Sequence, residues 1–254
     1  MVPGDGAPGG LPASGGWCGR CACVHTLPAQ PVLGDCLELM AQLQRQRRID
    51  WLAEPGAADC RCSTEGLFGE AGGKMFGLLR CRNAAGEAMT LRAFSGQFNG
   101  LWQVAGWVDP IFDVAAFAAL IREPEREIKR LGREMAGLPL ESGQRLALRR
   151  ERKALSRQLM RRIHDLYHLV NFRGEQRPLV NAFVDNGAPP SGTGDCCGPK
   201  LLHHAAVHGL RPEAMAEFFW GRSNASGGKQ HGQWYPACAG KCQPILGFQL
   251  CGLQ

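Results

Sequence analysis

The longest apolar rhythm in the chain lies between residues 142 and 170. There Leu148, Leu155, Leu159, Ile163 and Leu166 recur at helical spacing and predict one long helix. Upstream, residues 114–121 and 126–135 carry shorter helical patterns, with Pro124 placed to open a first turn. Gly137-Leu138-Pro139 separates them from the long helix, so the pattern predicts an antiparallel helical hairpin. Strand patterning is strongest at residues 75–82 and 88–94. These flank the turn-like Asn83-Ala84-Ala85-Gly86-Glu87 and read as a β-hairpin. Residues 101–108 read as a third strand, ended by Asp109-Pro110. A helix is expected at 36–52 behind Asp35 as its cap, with Leu37, Met40, Leu43 and Ile49 on its apolar side. Pro55 to Asp59 breaks it, and residues 66–73 contain no evident element. Near the end, Ala188 to Asp195 form a loop leading to Cys196 and Cys197, and Pro199 suits the first turn of a helix continuing over 200–208.

These elements sum to an α+β chain: a small antiparallel sheet section, a long basic helical hairpin and a Cys-rich α/β C-terminal module. The boundaries fall at 1–62 (a Cys-containing segment, disordered over its first 16 residues, with one helix), 63–121 (strands), 122–172 (hairpin) and 173–254 (Cys-rich module). Hydrophobic residues make up 44% of the 254 and charged residues 20%, the balance of a soluble globular protein. Apolar runs are too short for a bilayer, whose core needs roughly 20 apolar residues in a helix. The first 16 residues hold no Lys or Arg and no apolar core, so no export signal is expected and a cytoplasmic, reducing setting follows.

Charge sharpens the picture of the hairpin. Between Glu141 and Arg162 stand eight basic residues and two acids, net +6, which is the whole formal charge of the chain. Arg145, Arg149, Lys153, Arg157 and Arg161 recur every four residues as one stripe. A solvated salt-laced face would mix signs. A stripe of one sign suits the phosphates of RNA, bound without reading sequence.

Twelve Cys without an export signal point to metal ligation or burial rather than disulfides. Cys238 and Cys242 stand three residues apart, a spacing that brings two sulfurs to one ion. Cys196 and Cys197, at a helix start that favours thiolate, would add one or two ligands. His231, in a Gly-rich loop, would be another. The candidate zinc set is therefore Cys196, Cys197, Cys238, Cys242 and His231. Cys18, Cys21 and Cys23 form a second cluster, which Cys60 and Cys62 would complete. His203, His204 and His208 share a helix and read as packing or surface residues.

Three stretches carry a resemblance. They are Pro190-Ser191-Gly192-Thr193-Gly194-Asp195-Cys196-Cys197-Gly198-Pro199-Lys200-Leu201-Leu202, Met215-Ala216-Glu217-Phe218-Phe219-Trp220-Gly221, and Tyr235-Pro236-Ala237-Cys238 with Lys241-Cys242-Gln243-Pro244-Ile245-Leu246-Gly247. Together they resemble the N-terminal region of large bacterial RluA-type pseudouridine synthases. Gly73-Lys74-Met75-Phe76-Gly77 and Ala93-Phe94-Ser95-Gly96 extend the likeness, which covers about residues 73–253. It implies RNA modification, a ribosomal or transfer RNA partner and a catalytic domain of the isomerase class. The His-Arg-Leu-Asp type motif of that domain does not occur here, so the resemblance implies an accessory region and transfers no catalytic residue.

A fainter likeness is to zinc deaminases, which pair a His/Cys-x-Glu helix start with a later Pro-Cys-x-x-Cys. Here Gly198 or Pro199 fills the Glu position, and the later pair has one residue too many. Glu217 would be a substitute carboxylate, or a residue that simply caps or pairs. With no Glu beside Cys196 or Cys197, the zinc reads as structural.

Overall fold

The computed structural model describes residues 11, 13–54, 56–70, 72–184, 187–223 and 227–253. Its organising element is a strand the patterning did not announce. Residues Arg211–Trp220 are almost continuously apolar, and from Ala214 onward the strand is buried on both faces. A run of that kind belongs at the centre of a sheet covered on both sides. It pairs antiparallel with Lys74–Arg82, which pairs in turn with Ala88–Phe94. In chain order the strands are β1 (Ser14–Cys18), β2 (Cys23–Leu27), β3 (Lys74–Arg82), β4 (Ala88–Phe94), β5 (His168–Val170), β6 (Gln176–Pro178), β7 (Arg211–Trp220) and β8 (Trp234–Tyr235). The central sheet has the order β4-β3-β7-β8, and β1-β2 and β5-β6 are separate hairpins. The protein is α+β, with 39% of residues helical and 20% in strands.

Strand alternation sorts the core into two layers. Phe76, Leu78, Phe94, Ala214, Ala216, Phe218 and Trp220 face one side, where α1 (Leu33–Gln46) covers them with Cys36, Leu39 and Leu43. On that side Phe76 stacks on Phe218 at 5.8 Å, and Trp107 tilts against Phe76 and Phe94. Leu79, Cys81, Ala93 and Met215 face the other side, beneath α5 (Cys197–Val207) and α6 (Gln243–Gln249). Each large side chain buried there contributes about 1.5–3 kcal/mol.

Several expectations need correction. Residues 101–108 do not form a strand: Gly106 turns the chain at φ +87°, and Trp107 plugs the core while its indole N–H donates to Ile49 O at 2.8 Å. The two helical patterns around Pro124 are one helix, α2 (Val114–Ala136), capped by Asp113, whose carboxylate accepts from Ala116 N. The long basic helix, α3 (Gly143–His164), stops six residues early because Tyr167 and Leu169 are drawn into the core and the chain turns into β5. On α1 the buried residues are Cys36, Leu39 and Leu43, while Leu37 is exposed; Ile49 lies beyond the helix. Residues 66–73 include a 3₁₀ turn at Glu65–Phe68. Of the first 16 residues, expected to be disordered, Ser14 to Gly16 belong to β1, whereas 1–10 lie outside the described residues. The division drawn between residues 63–121 and 173–254 runs through one sheet, since β3 and β7 are hydrogen-bonded neighbours.

No helix among the described residues is long and apolar enough to cross a membrane. The helical hairpin of α2 and α3 buries few side chains: Leu131 on α2, Leu159 and His164 on α3. Its base packs on a third cluster of Phe112, Tyr167, Leu169, Leu179, Ile245 and Phe248, which lies against α6.

Strand β1 and α6 meet backbone to backbone. A Cβ on Gly247 would lie 1.9 Å from Trp17 O, and one on Gly16 would lie 2.1 Å from Gln243 O. Gly247→Ala should therefore push the hairpin off the helix, at a cost of about 2 kcal/mol. Thermal unfolding should show a Tm lower by roughly 5 °C; an unchanged Tm would contradict the contact.

Candidate metal centre

The loop before α5 and the turn before α6 deliver three thiols to one place. Cys196 is the N-cap of α5, and Cys242 is the N-cap of α6. The N–H groups of Cys242 and Gln243 both donate to Cys238 O, closing a tight turn that sets Cys238 Sγ 3.2 Å from Cys242 Sγ. The sulfurs of Cys196, Cys238 and Cys242 all lie within 4.8 Å of one another and could hold a metal ion. Ligands at tetrahedral angles and Zn–S bonds of about 2.3 Å would stand about 3.8 Å apart, so the donor set and spacing fit such an ion.

The thiols share their protons unequally. Hydrogen bonds from Cys196 and Cys242, helped by the backbone N–H groups of Cys242 and Lys241, hold Cys238 far below its ordinary pKa. Cys196 is pushed up to about 12, first by its bond to Cys238, and Cys242 is raised by its bonds to Cys196 and Cys238. The directions of these shifts make Cys238 the most acidic of the three thiols, with two donors beside it. Lys200 lies nearby, its Nζ fully buried without a hydrogen-bond partner 4.6 Å over the Phe94 ring, and that burial lowers its pKa.

Two residues of the candidate set lie elsewhere. Cys197 is completely buried, and its thiol donates to Met75 O at 3.4 Å, on the sheet side of α5. Successive residues of a helix point about 100° apart, so only one of an adjacent pair can face the ion. His231 accepts from Gly221 N through Nδ1 and packs against Trp220 at 4.3 Å, far from the thiols in its contacts. Burial lowers its pKa.

The carboxylate that sequence patterning offered as a substitute lies near the thiols. Glu217, on β7 between Met215 and Phe219, is 4% exposed and points to the α5 side of the sheet. Its Oε1 accepts from Gly198 N at 3.2 Å. A Cβ on Gly198 would lie 3.0 Å from the same oxygen, so the carboxylate fills the room left by the missing side chain. Burial pushes Glu217 up to about 7, against the pull of the Gly198 N–H. It lies outside the group of mutually close ligand atoms, yet close enough for its charge to raise Cys196 and Cys242.

The centre is tied to the helical hairpin. Tyr167, just past the end of α3, donates through its hydroxyl to Asp195 Oδ1 at 2.5 Å, and Asp195 precedes Cys196. On α3 itself, Arg149, Lys153, Arg157 and Arg161 are exposed, while Arg145 is half-buried and donates to Leu138 O at 2.8 Å. Among the described residues no ion pair involves α3. Three of the five basic residues of α2, by contrast, pair within their own helix: Arg126 with Glu123, Lys129 with Glu125, and Arg130 with Glu127 and Glu134.

The other cysteine cluster also differs from expectation. Cys60 is exposed, and Cys62 is buried in the core beside α1. Neither joins Cys18 and Cys21, which meet His25 and Cys251 instead. His204 and His208 stack at 4.0 Å on the outer face of α5, and His203 is a partly buried packing residue.

Substituting Ser for Cys196, Cys238 or Cys242 should each reduce the metal held per chain, whereas Cys197→Ser and His231→Ala should leave it unchanged. Elemental analysis of the purified variants checks this, and metal loss in Cys197→Ser equal to that in Cys196→Ser would contradict the assignment. In comparisons with known proteins, no family model, no curated protein and no solved structure matches the chain.

Proposed function

We propose that the chain is an RNA-associated zinc protein of RNA modification, and that its Cys196–Cys238–Cys242 centre is built for hydrolysis of the deaminase kind. The buried carboxylate of Glu217 beside a three-sulfur site carries this reading. A structural zinc is normally closed by four protein ligands, whereas three ligands leave a position for water. Soft thiolates favour zinc over hard cations. Bound there, zinc would act as a Lewis acid that lowers the pKa of a water molecule.

Glu217 supplies what the helix start lacks. In deaminases a carboxylate beside the metal ligands is the general acid/base. Here position 198 is Gly, and a carboxylate reaches the same space from the neighbouring strand. Glu217 takes a proton from the attacking water and passes it to the departing amine. The water oxygen replaces the exocyclic nitrogen, and ammonia leaves. The substrate class is an amino-bearing base of the cytosine or adenine type, in single-stranded or unstacked RNA. Cys196 and Cys238 are half-buried, whereas Cys242 is buried.

Glu217→Gln should leave zinc content intact and reduce ammonia release from RNA by at least ~100-fold. Equal turnover in this variant would remove Glu217 from the reaction, and no turnover by the unmutated chain on any cytosine- or adenine-containing RNA would remove the hydrolytic reading.

The uncompensated charge of α3 favours a second reading, in which the metal is structural and the chain is the accessory region that the RluA-type resemblance implies, holding RNA for a pseudouridine synthase catalytic domain. Both readings place RNA along Arg149, Lys153, Arg157 and Arg161. Retention on structured RNA should fall steeply as salt rises, and each of these residues changed to Ala should reduce the slope of log K against log salt by about one. Binding that ignores salt would exclude α3 as the contact.

A further inference from the structure

The second cysteine cluster lies past the C-terminal end of α6, whose N-terminal end holds Cys242, and shares no ligand with the first. The β1–β2 hairpin turns at Gly19 to Ala22, with Ala22 in the left-handed region at φ 50° and Cys18 opposite Cys23 in register. That turn sets Cys18 and Cys21 two residues apart in Cys-x-x-Cys spacing, and His25 follows on β2 with its side chain on the buried side. The fourth member comes from the far end of the chain. Cys251, just past α6, lies 3.6 Å from Cys21 through sulfur. All four ligand atoms fall within 4.8 Å of one another, and Cys18, His25 and Cys251 are buried.

We propose that Cys18, Cys21, His25 and Cys251 form a second zinc site, a closed four-ligand clamp that fastens the N-terminal hairpin to the C-terminal helix. Three thiolates and one neutral imidazole make a complete tetrahedral set, with no position left for water. The surroundings are those of bound thiolates rather than of free thiols. The backbone N–H groups of Arg20 and Cys21 are directed at Cys18 Sγ, which is how a tight turn satisfies a thiolate ligand. Arg173, held in the β5–β6 turn, donates its Nε to Cys251 Sγ at 3.3 Å and also bonds Cys21. Zinc with three thiolates carries a net charge of −1, and the guanidinium neutralises it. Arg20 pairs with Glu175 across the same turn, so the second hairpin closes over the site. Cys23 is not part of the set; its sulfur stands 4.0 Å from His25 Nε2 on the more open side.

The inference is independent of the hydrolytic reading, because it concerns different ligands and a site with no reactive position. Its test is zinc counting on the full chain purified under reducing conditions. The unmutated protein should hold two equivalents, Cys251→Ser one, Cys238→Ser one, and the double variant none. X-ray absorption of the Cys238→Ser protein should show three sulfurs at about 2.3 Å and one nitrogen at about 2.0 Å. His25→Cys keeps a ligand that zinc accepts; it should retain both equivalents and move the remaining site of the Cys238→Ser background to four sulfurs. Zinc content unchanged in Cys251→Ser and Cys21→Ser overturns the proposal. So does a metal-free chain whose mass and peptide map show Cys21 and Cys251 joined as a disulfide. Should the serine variants fail to fold, His25→Cys made alone in the otherwise unmutated chain decides: its zinc absorption spectrum, averaged over both sites, should lose nitrogen and gain sulfur, and a spectrum identical to that of the unmutated chain overturns the clamp.

Discussion

Strand β7 has no face left for water, and that constraint shapes everything around it. Ala214, Ala216, Phe218 and Trp220 must be covered on one side, and α1 does so. Met215, Glu217 and Phe219 must be covered on the other, which requires α5 and the segment leading into α6. An acid in such a strand is tolerable only with a partner, because an unpaired buried carboxylate costs several kcal/mol. Gly198 supplies the partner N–H and, having no side chain, the space. The same packing that buries the strand therefore brings the starts of two helices together over a carboxylate. The three thiols converge there because both helices begin at that edge of the sheet.

Local patterning revealed the elements whose shape depends on near neighbours. The β3–β4 hairpin was legible almost to the residue, because Asn83 to Glu87 is a turn whatever surrounds it: Asn83 Oδ1 accepts from both Ala85 N and Glu87 N. The helical hairpin and its basic stripe were legible for the same reason. What could not be read were the pairings made across the chain. Strand β7 has no alternation, since both of its faces are buried, and so it gave no strand rhythm. Residues 101–108 looked like a strand, yet Trp107 gains more by entering the aromatic cluster than by pairing at an edge. Cys196 and Cys197 are equivalent in sequence, and only the direction of α5 relative to the sheet separates the candidate ligand from the packing residue.

The two cysteine clusters show the same limit on a larger scale. Spacing identified Cys238 and Cys242, which lie in one turn. It grouped Cys18 and Cys21 correctly but assigned them partners at 60 and 62, because nothing in the sequence near Cys251 marks it as a ligand. That link depends on the backbone contact of β1 with α6, which exists because Gly16 and Gly247 carry no side chains. Two small residues thus decide which ends of the chain meet.

The hydrogen bond from Tyr167 to Asp195 has a mechanical consequence. Helix α3 has 22 residues and reaches roughly 33 Å from its tip to its base. Its base ends where Tyr167 enters the core and bonds Asp195, while Arg149, Lys153, Arg157 and Arg161 stand along its exposed length. The exposed basic length of the helix and the thiol cluster are thus joined through one hydrogen bond, and a displacement at the helix base would be felt first at the residue that precedes Cys196.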